Sequence, residues 1–155
     1  MRSLTLLSLL IFGCQTSPEV KKTTVVESGV FLSLQRTACM GACPVYVVEV
    51  SSDGTVRFKG ERHVKVTEPV ELKLGAEELA KLSGLVEQSD FAKWKNYMAI
   101  TTSDMPTVVL TFRGKSVQHS RGDEKAPEAL TKLEDDLDAV IGTDRWVKGA
   151  GAEAQ

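Results

Sequence analysis

The sequence predicts a single α+β domain: an antiparallel sheet of about six strands carrying two helices on one face, in the order βββ(β)αββα. Three observations predict it. Short alternating apolar runs recur along residues 30–74 and 107–120, several of them joined by hairpin-type turns. Two stretches, one from Ala76 and one from Pro127, instead repeat apolar residues at three- and four-residue spacing. Finally, 155 residues of which 42% are hydrophobic and 26% charged suit one globular core.

The first run alternates Val30, Leu32 and Leu34 with Phe31, Ser33 and Gln35, and reads as a strand over 30–36. A loop follows, and Pro44 opens a second strand over 45–50, rich in the Val and Tyr that strands favour. Ser52-Asp53-Gly54 signals a hairpin, since Asp and Gly tolerate the positive φ such turns demand. Beyond it Val56, Phe58, Val64 and Val66 share one face, and His63 falls on the solvated one. Gly60 interrupts this phase, giving either one bent strand or two strands with a turn there. Glu68-Pro69 breaks the run before a short segment at Val70, Leu72 and Leu74.

Leu79, Leu82, Leu85 and Val86 form the stripe of the first helix, with Glu77 and Glu78 in its first turn, where the helix dipole favours acids. The helix should stop near Ser89, and Phe91, Trp94 and Tyr97 follow as aromatic plugs in an irregular stretch. Residues 99–106 read as loop. Residues 107–113 and 116–120 read as strands about a turn at Gly114-Lys115, with His119 half-buried beside Val117. Pro127 suits a first helical position, and Leu130, Leu133, Leu137, Val140 and Ile141 make the second stripe. The acidic residues of 134–138 then read as a solvated face, Gly142 as the end cap, and Trp146 as a residue folding back on the core.

The first residues stand apart from this domain. Arg2 precedes an apolar run from Leu4 to Phe12, too short for the roughly 20 residues a spanning helix needs. A positive start, a short apolar segment and a small residue at its end make a secretory signal. The ending Ile11-Phe12-Gly13-Cys14 resembles the bacterial lipobox, with Phe12 departing from the usual small residue. That resemblance implies cleavage before Cys14, a diacylglycerol thioether on its sulfur, and usually an acylated amine. Two or three chains anchor a protein stably, whereas one does so marginally. Gln15 after the cysteine favours the outer membrane by the sorting habit of enteric lipoproteins. The expected organisation is a signal over 1–13, a lipidated cysteine and polar tether over 14–28, the domain over 29–147, and a frayed tail over 148–155.

The net charge of −2 lacks the basic excess of a general nucleic-acid binder. Residues 36–46 read RTACMGACPVY. Cys-x-Gly-x-Cys-Pro-x-Tyr, followed by Asp53-Gly54 and a Gly60-containing strand, resembles a bacterial family of domains of unknown function, numbered six-four-three-eight. Asp104-Met105-Pro106-Thr107, Gly114-Lys115, Gly142-Thr143 and Trp146-Val147 continue the likeness over roughly residues 30–147. The resemblance implies domain limits and secretion and names no catalyst.

Cys39 and Cys43 are the foremost candidate site. Fully extended, their α-carbons would be about 13 Å apart at about 3.3 Å per residue. A disulfide needs roughly 4.4–6.8 Å, so the loop must turn back, with Gly41 supplying the freedom. Outside the cytoplasm such a pair should oxidise. A structural disulfide is the first expectation. A redox pair is the second, although such pairs usually sit as Cys-x-x-Cys at a helix start. A metal site using Cys39, Cys43, His63 and His119 is the third; its cysteine half has zinc-like spacing and its histidines do not. A hydrolase triad of Ser120, His119 and Asp104 lacks a nucleophile-elbow motif, and adjacent Ser and His on a strand face opposite ways. Arg121-Gly122-Asp123 reads as a turn in which Asp123 accepts backbone hydrogens. The expectation is therefore a membrane-tethered, non-enzymatic binding or accessory domain facing the periplasm. Its site residues are Cys14 for lipidation and Cys39 and Cys43 for the disulfide. It has no catalytic residue, cofactor, metal or nucleic-acid partner, and meets an envelope protein or ligand of unspecified kind. A thiol–disulfide protein using Cys39 and Cys43 is the alternative.

Overall fold

A computed structural model describes residues 29–98 and 104–148. The expected leader, Cys14, the tether to Ser28 and the tail from residue 149 onward lie outside the described residues. In chain order the elements are β1 (Val30–Arg36), β2 (Val45–Ser51), β3 (Thr55–Arg62), β4 (Val70–Lys73), α1 (Ala76–Glu87), β5 (Thr107–Phe112), β6 (Lys115–Ser120), α2 (Glu128–Ile141) and a short α3 (Asp144–Val147). The strands form one antiparallel sheet in the order β4-β3-β2-β1-β5-β6. This is the α+β arrangement that the alternating runs predict.

Strand alternation builds the core. Leu32, Leu34, Val48, Val50, Val56, Phe58, Val108, Leu110 and Val117 are fully or almost fully buried on one face. Leu82 and Val86 of α1 and Leu130, Leu133, Leu137 and Ile141 of α2 complete that layer. Each such side chain contributes roughly 1.5–3 kcal/mol of apolar burial, which is how an amphipathic stripe comes to be held on the sheet. β4 and β5 occupy opposite sides of β1, so the chain from β4 through α1 to β5 crosses three strands. The opposite sheet face carries Glu49, Arg57, Lys59, Glu71 and Lys73 beside Val47 and Val109. Among the described residues no helix is long and apolar enough to cross a membrane.

Several local expectations change. Of the two readings at Gly60 the single strand holds: β3 continues to Arg62, with its register against β2 shifting between Gly60 and Arg62. A Cβ on Gly60 would overlap the Val66 carbonyl and lie 2.6 Å from Val64 Cγ2, because residues 63–66 fold back over the strand end. His63 turns that corner at φ 53° and is exposed. The Lys65 and Val66 amides then donate to the Trp146 carbonyl at 2.9 and 3.0 Å. The β5–β6 turn is Arg113-Gly114, not Gly114-Lys115: both central residues have positive φ, 46° and 83°. Lys115 already pairs with Phe112, and its ammonium bonds the Ala92 and Trp94 carbonyls at 2.5 and 2.9 Å. Pro127 precedes α2 as its N-cap rather than occupying the first helical turn.

The outer edge of β6 is covered. Tyr97 forms a parallel bridge with it, donating its amide to Gln118 O and accepting from Ser120 N–H, both at 2.8 Å. Gly142 caps α2 at φ 75°, and Trp146 of α3 packs on Phe58 with ring centroids 4.8 Å apart.

Candidate functional site

The disulfide loop leaves β1 and returns into β2. Cys39 and Cys43 are bonded, with α-carbons 5.7 Å apart. The chain-entropy estimate for so short a closed loop is about 2 kcal/mol. The loop is also tied to the start of β5. Thr37 N–H donates to Thr107 O at 3.0 Å, Thr107 N–H to Thr37 Oγ1 at 2.9 Å, and Met40 N–H to Asp104 O at 3.2 Å. Gly41 has no left-handed φ, and a Cβ on it would meet only Cys39 Sγ at 3.7 Å. The reversal therefore does not require glycine there. The Gly41 amide donates to Cys39 Sγ at 3.2 Å.

A charged clasp lies at the same end of the sheet. Arg36, the last residue of β1, continues the phase of Leu32 and Leu34, so its side chain is on the core face. Its register partner Tyr46 shares the phase of Val48 and Val50. Both reach Asp138 of α2. Oδ2 of Asp138 accepts from Arg36 Nε at 2.8 Å, Arg36 Nη2 at 2.6 Å and the Tyr46 hydroxyl at 2.8 Å. Oδ1 accepts from the Thr143 hydroxyl at 2.7 Å. The Gly142 cap places Thr143 there, since the reversed chain also donates the Thr143 amide to Asp138 O. Burial acts against the charge on Arg36, but Asp138, Tyr46 and Asp135 together outweigh it and keep the guanidinium more firmly protonated than usual. Burial, and then Asp138, push the Tyr46 hydroxyl well above its ordinary pKa.

A second cluster adjoins the first. His119 Nδ1 lies 3.0 Å from Glu134 Oε1, with the His119 and Glu134 side chains 2% and 0% exposed. Arg121 Nη1 donates to Glu134 Oε2 at 3.2 Å, and Arg121 also holds both oxygens of Asp135 at 3.1 and 3.2 Å. Asp135 accepts from Arg36 Nη2 at 3.0 Å as well and so joins the clusters. Burial works against its ionisation, yet the bonds and charges of Arg121 and Arg36 hold its carboxyl below the usual range.

This corrects the reading of residues 134–138 as a solvated face. Asp135 is exposed and Asp136, which pairs with Lys132 at 2.6 Å, is partly open, whereas Glu134 is fully buried and Asp138 largely so. The helical spacing carried the signal. Glu134 is four residues from Leu130, three from Leu137 and seven from Ile141, which puts it inside the apolar stripe. His119 is likewise buried rather than half-buried, two residues from Val117 on the core face.

Together the clusters make a brace between α2 and three strands. An ionised carboxylate offers about four lone-pair sites over its two oxygens, and Asp138 takes four hydrogen bonds, three on Oδ2 and one on Oδ1. No buried side-chain nitrogen or oxygen among the described residues lacks a partner. Such a network rigidifies a fold and selects one packing. His119 and Ser120 are both buried, and His119 serves Glu134, so the Ser120, His119 and Asp104 arrangement is not assembled as a triad. Among the described residues no group of three or more His, Cys, Asp or Glu side chains could share a metal ion. The four residues of the metal reading are divided: the cysteines bond each other, His119 pairs with Glu134, and His63 is exposed. Asp123 takes its expected turn role, accepting from Lys125 N–H at 2.9 Å.

The family model for the domain of unknown function DUF6438 matches residues 30–141. No curated protein matches the chain.

Proposed function

The chain belongs to the DUF6438 family, and from that premise we propose a cell-envelope lipoprotein, held to the membrane through Cys14, whose domain is a non-enzymatic binding or accessory module facing the periplasm. The carrying observation is the Cys39–Cys43 disulfide, which suits an oxidising compartment and pins an exposed loop tip on a braced scaffold. The lipobox-like Ile11-Phe12-Gly13-Cys14 and the polar stretch after it support the anchor. The burial of His119 and its commitment to Glu134 support recognition rather than catalysis, because a dissolved substrate cannot reach that imidazole.

The anchor is tested by metabolic labelling with palmitate. The chain should incorporate label and fractionate with membranes, and Cys14→Ser should lose both. Unlabelled wild-type chain in the soluble fraction would end the lipoprotein reading. Crosslinking in intact cells should then recover an envelope protein through the domain. The reduction potential of Cys39–Cys43 separates a structural bridge from an exchange catalyst: a low potential supports the present reading, and one near those of periplasmic oxidants would assign the pair to thiol–disulfide exchange.

A further inference from the structure

The open face of the sheet is hollowed where β4 falls short of its neighbour. β4 begins at Val70, opposite Phe58, whereas β3 runs on to Arg62. Pro69 has no amide hydrogen with which to extend the ladder, so among the described residues the last part of β3 has no strand on its outer side. The step leaves a cavity of about 470 Å³ over β2 and β3, within the size range of small-molecule sites. Val47, Val70 and Pro69 give it an apolar lining.

The charges around this cavity are unevenly matched. Arg57 is held by Glu71, Nε to Oε2 at 3.1 Å. Glu49, Lys59 and Glu61 line the same cavity, and among the described residues none of the three is in an ion pair. Register places Lys59 between the two glutamates. Glu61 lies two residues further along β3, and Glu49 lies two residues along β2 from Val47, the partner of Lys59. At about 4.8 Å between strands and about 3.3 Å per residue, the Glu49 and Glu61 α-carbons are roughly 14 Å apart, a gap that the two side chains narrow from both ends. The cavity therefore offers two carboxylates without a cation, one ammonium without an anion between them, and an apolar floor.

We propose that this cavity binds a diamino acid of the lysine type, free or at the amino end of a peptide. Glu49 and Glu61 each take one ammonium, Lys59 takes the carboxylate, and the methylene chain lies on Val47 and Val70. Exposed ion pairs are individually weak, so recognition depends on all three charges together and weakens with salt. The site lies on the sheet face away from the helices and depends neither on the membrane anchor nor on the disulfide loop.

The full chain carrying Cys14→Ser, free of lipid, is titrated with L-lysine while backbone amide resonances are followed. One ligand per chain should bind, with saturable shifts centred on residues 47–49 and 59–61. Alanine, which lacks the second ammonium, and glutamate, which reverses the charge, should bind far more weakly. Lysyl-alanine binding more tightly than lysine would assign the ligand to a peptide, and the reverse order to the free amino acid. Glu49→Gln and Glu61→Gln should each weaken lysine binding by roughly two- to fivefold, and the double replacement should abolish it. Lys59→Met should weaken lysine binding yet strengthen binding of pentane-1,5-diamine, which has no carboxylate for Lys59 to meet. Melting temperatures should stay unchanged, since none of the three side chains is paired. Absence of saturable shifts, shifts centred elsewhere, full affinity in the double variant, or lysine and the diamine responding alike to Lys59→Met would each overturn the site. Any of these would leave the anchor, read by palmitate labelling, as it stands.

Discussion

The two ends of the sheet each hold an aspartate to a cation, and they differ in water. At the hairpin end Asp53 accepts from Lys73 Nζ at 2.9 Å, with the two side chains 37% and 60% exposed. The Thr55 amide and hydroxyl also donate to Asp53, both at 3.0 Å. Chiefly the Lys73 bond, and then those of Thr55, hold its carboxyl at about 2. At the clasp end Arg36 and Asp138 are each only 14% exposed, and Tyr46 and Thr143 close the remaining valences. A buried pair is not intrinsically strong, because desolvation offsets much of its attraction. Its weight lies in what is left when one partner is removed. Water reaches the place of Lys73 freely at the hairpin end, whereas at the clasp Asp135 is the one carboxylate left to Arg36.

That contrast orders the expected effects. Asp138→Ala should be the largest, lowering stability by about 3 kcal/mol in urea unfolding, since it takes the shared acceptor from Arg36 Nε and the Tyr46 hydroxyl and leaves only Asp135 facing the guanidinium. Replacing Arg36, Tyr46 and Asp138 together with apolar residues of similar volume should recover most of the loss; a triple variant as unstable as Asp138→Ala would show that the clasp adds attraction of its own. Replacing Cys39 and Cys43 with serine should cost about 2 kcal/mol, read as a lowered thermal midpoint at unchanged secondary structure. Gly142→Ala should cost about 1 kcal/mol, because φ 75° disfavours a side chain; the Arg145 guanidinium that a Cβ would meet can swing aside. Alkali gives a further reading of the clasp. Tyr46 titrates above its unfolded value, so its contribution is intact below about pH 10 and falls as pH rises beyond it. Tyr46→Phe should flatten that alkaline decline in melting temperature. The smallest effect belongs to Asp53→Asn. The depressed pKa of Asp53 gives stability that is present above the unfolded value near 3.8 and lost as pH falls toward 2, so the variant should differ from wild type near neutrality and converge with it in acid. A loss as large as that of Asp138→Ala would overturn the contrast.

Most of the sheet was legible in the sequence because strand alternation is a local pattern. Leu32 and Leu34, Val48 and Val50, and Val108 and Leu110 announce their face by spacing alone. The Cys39–Cys43 pairing was legible too, since five residues restrict the geometries available. The Arg113-Gly114 turn slipped by one residue because Lys115 is held by carbonyls of the 92–94 segment, a contact remote in sequence. Gly60 left one bent strand and two strands both open, because its constraint, the folded-back Val66 carbonyl, comes from a neighbouring loop. Glu134 and Asp138 read as solvated because their polarity masks their helical position. Glu134 sat in the apolar stripe all along, but nothing local shows that His119 and Arg121 come to meet it.

The sequence by itself determined the order of the six strands and the two long helices, the Gly142 cap and the apolar inward faces, since these depend on backbone preference and on the short-range repeat of apolar groups. Tertiary structure alone decided which charges leave water. A carboxylate can be buried only where the fold delivers donors from distant segments, and Arg36, Tyr46 and Thr143 meet Asp138 only once β1, β2 and the chain beyond α2 have packed.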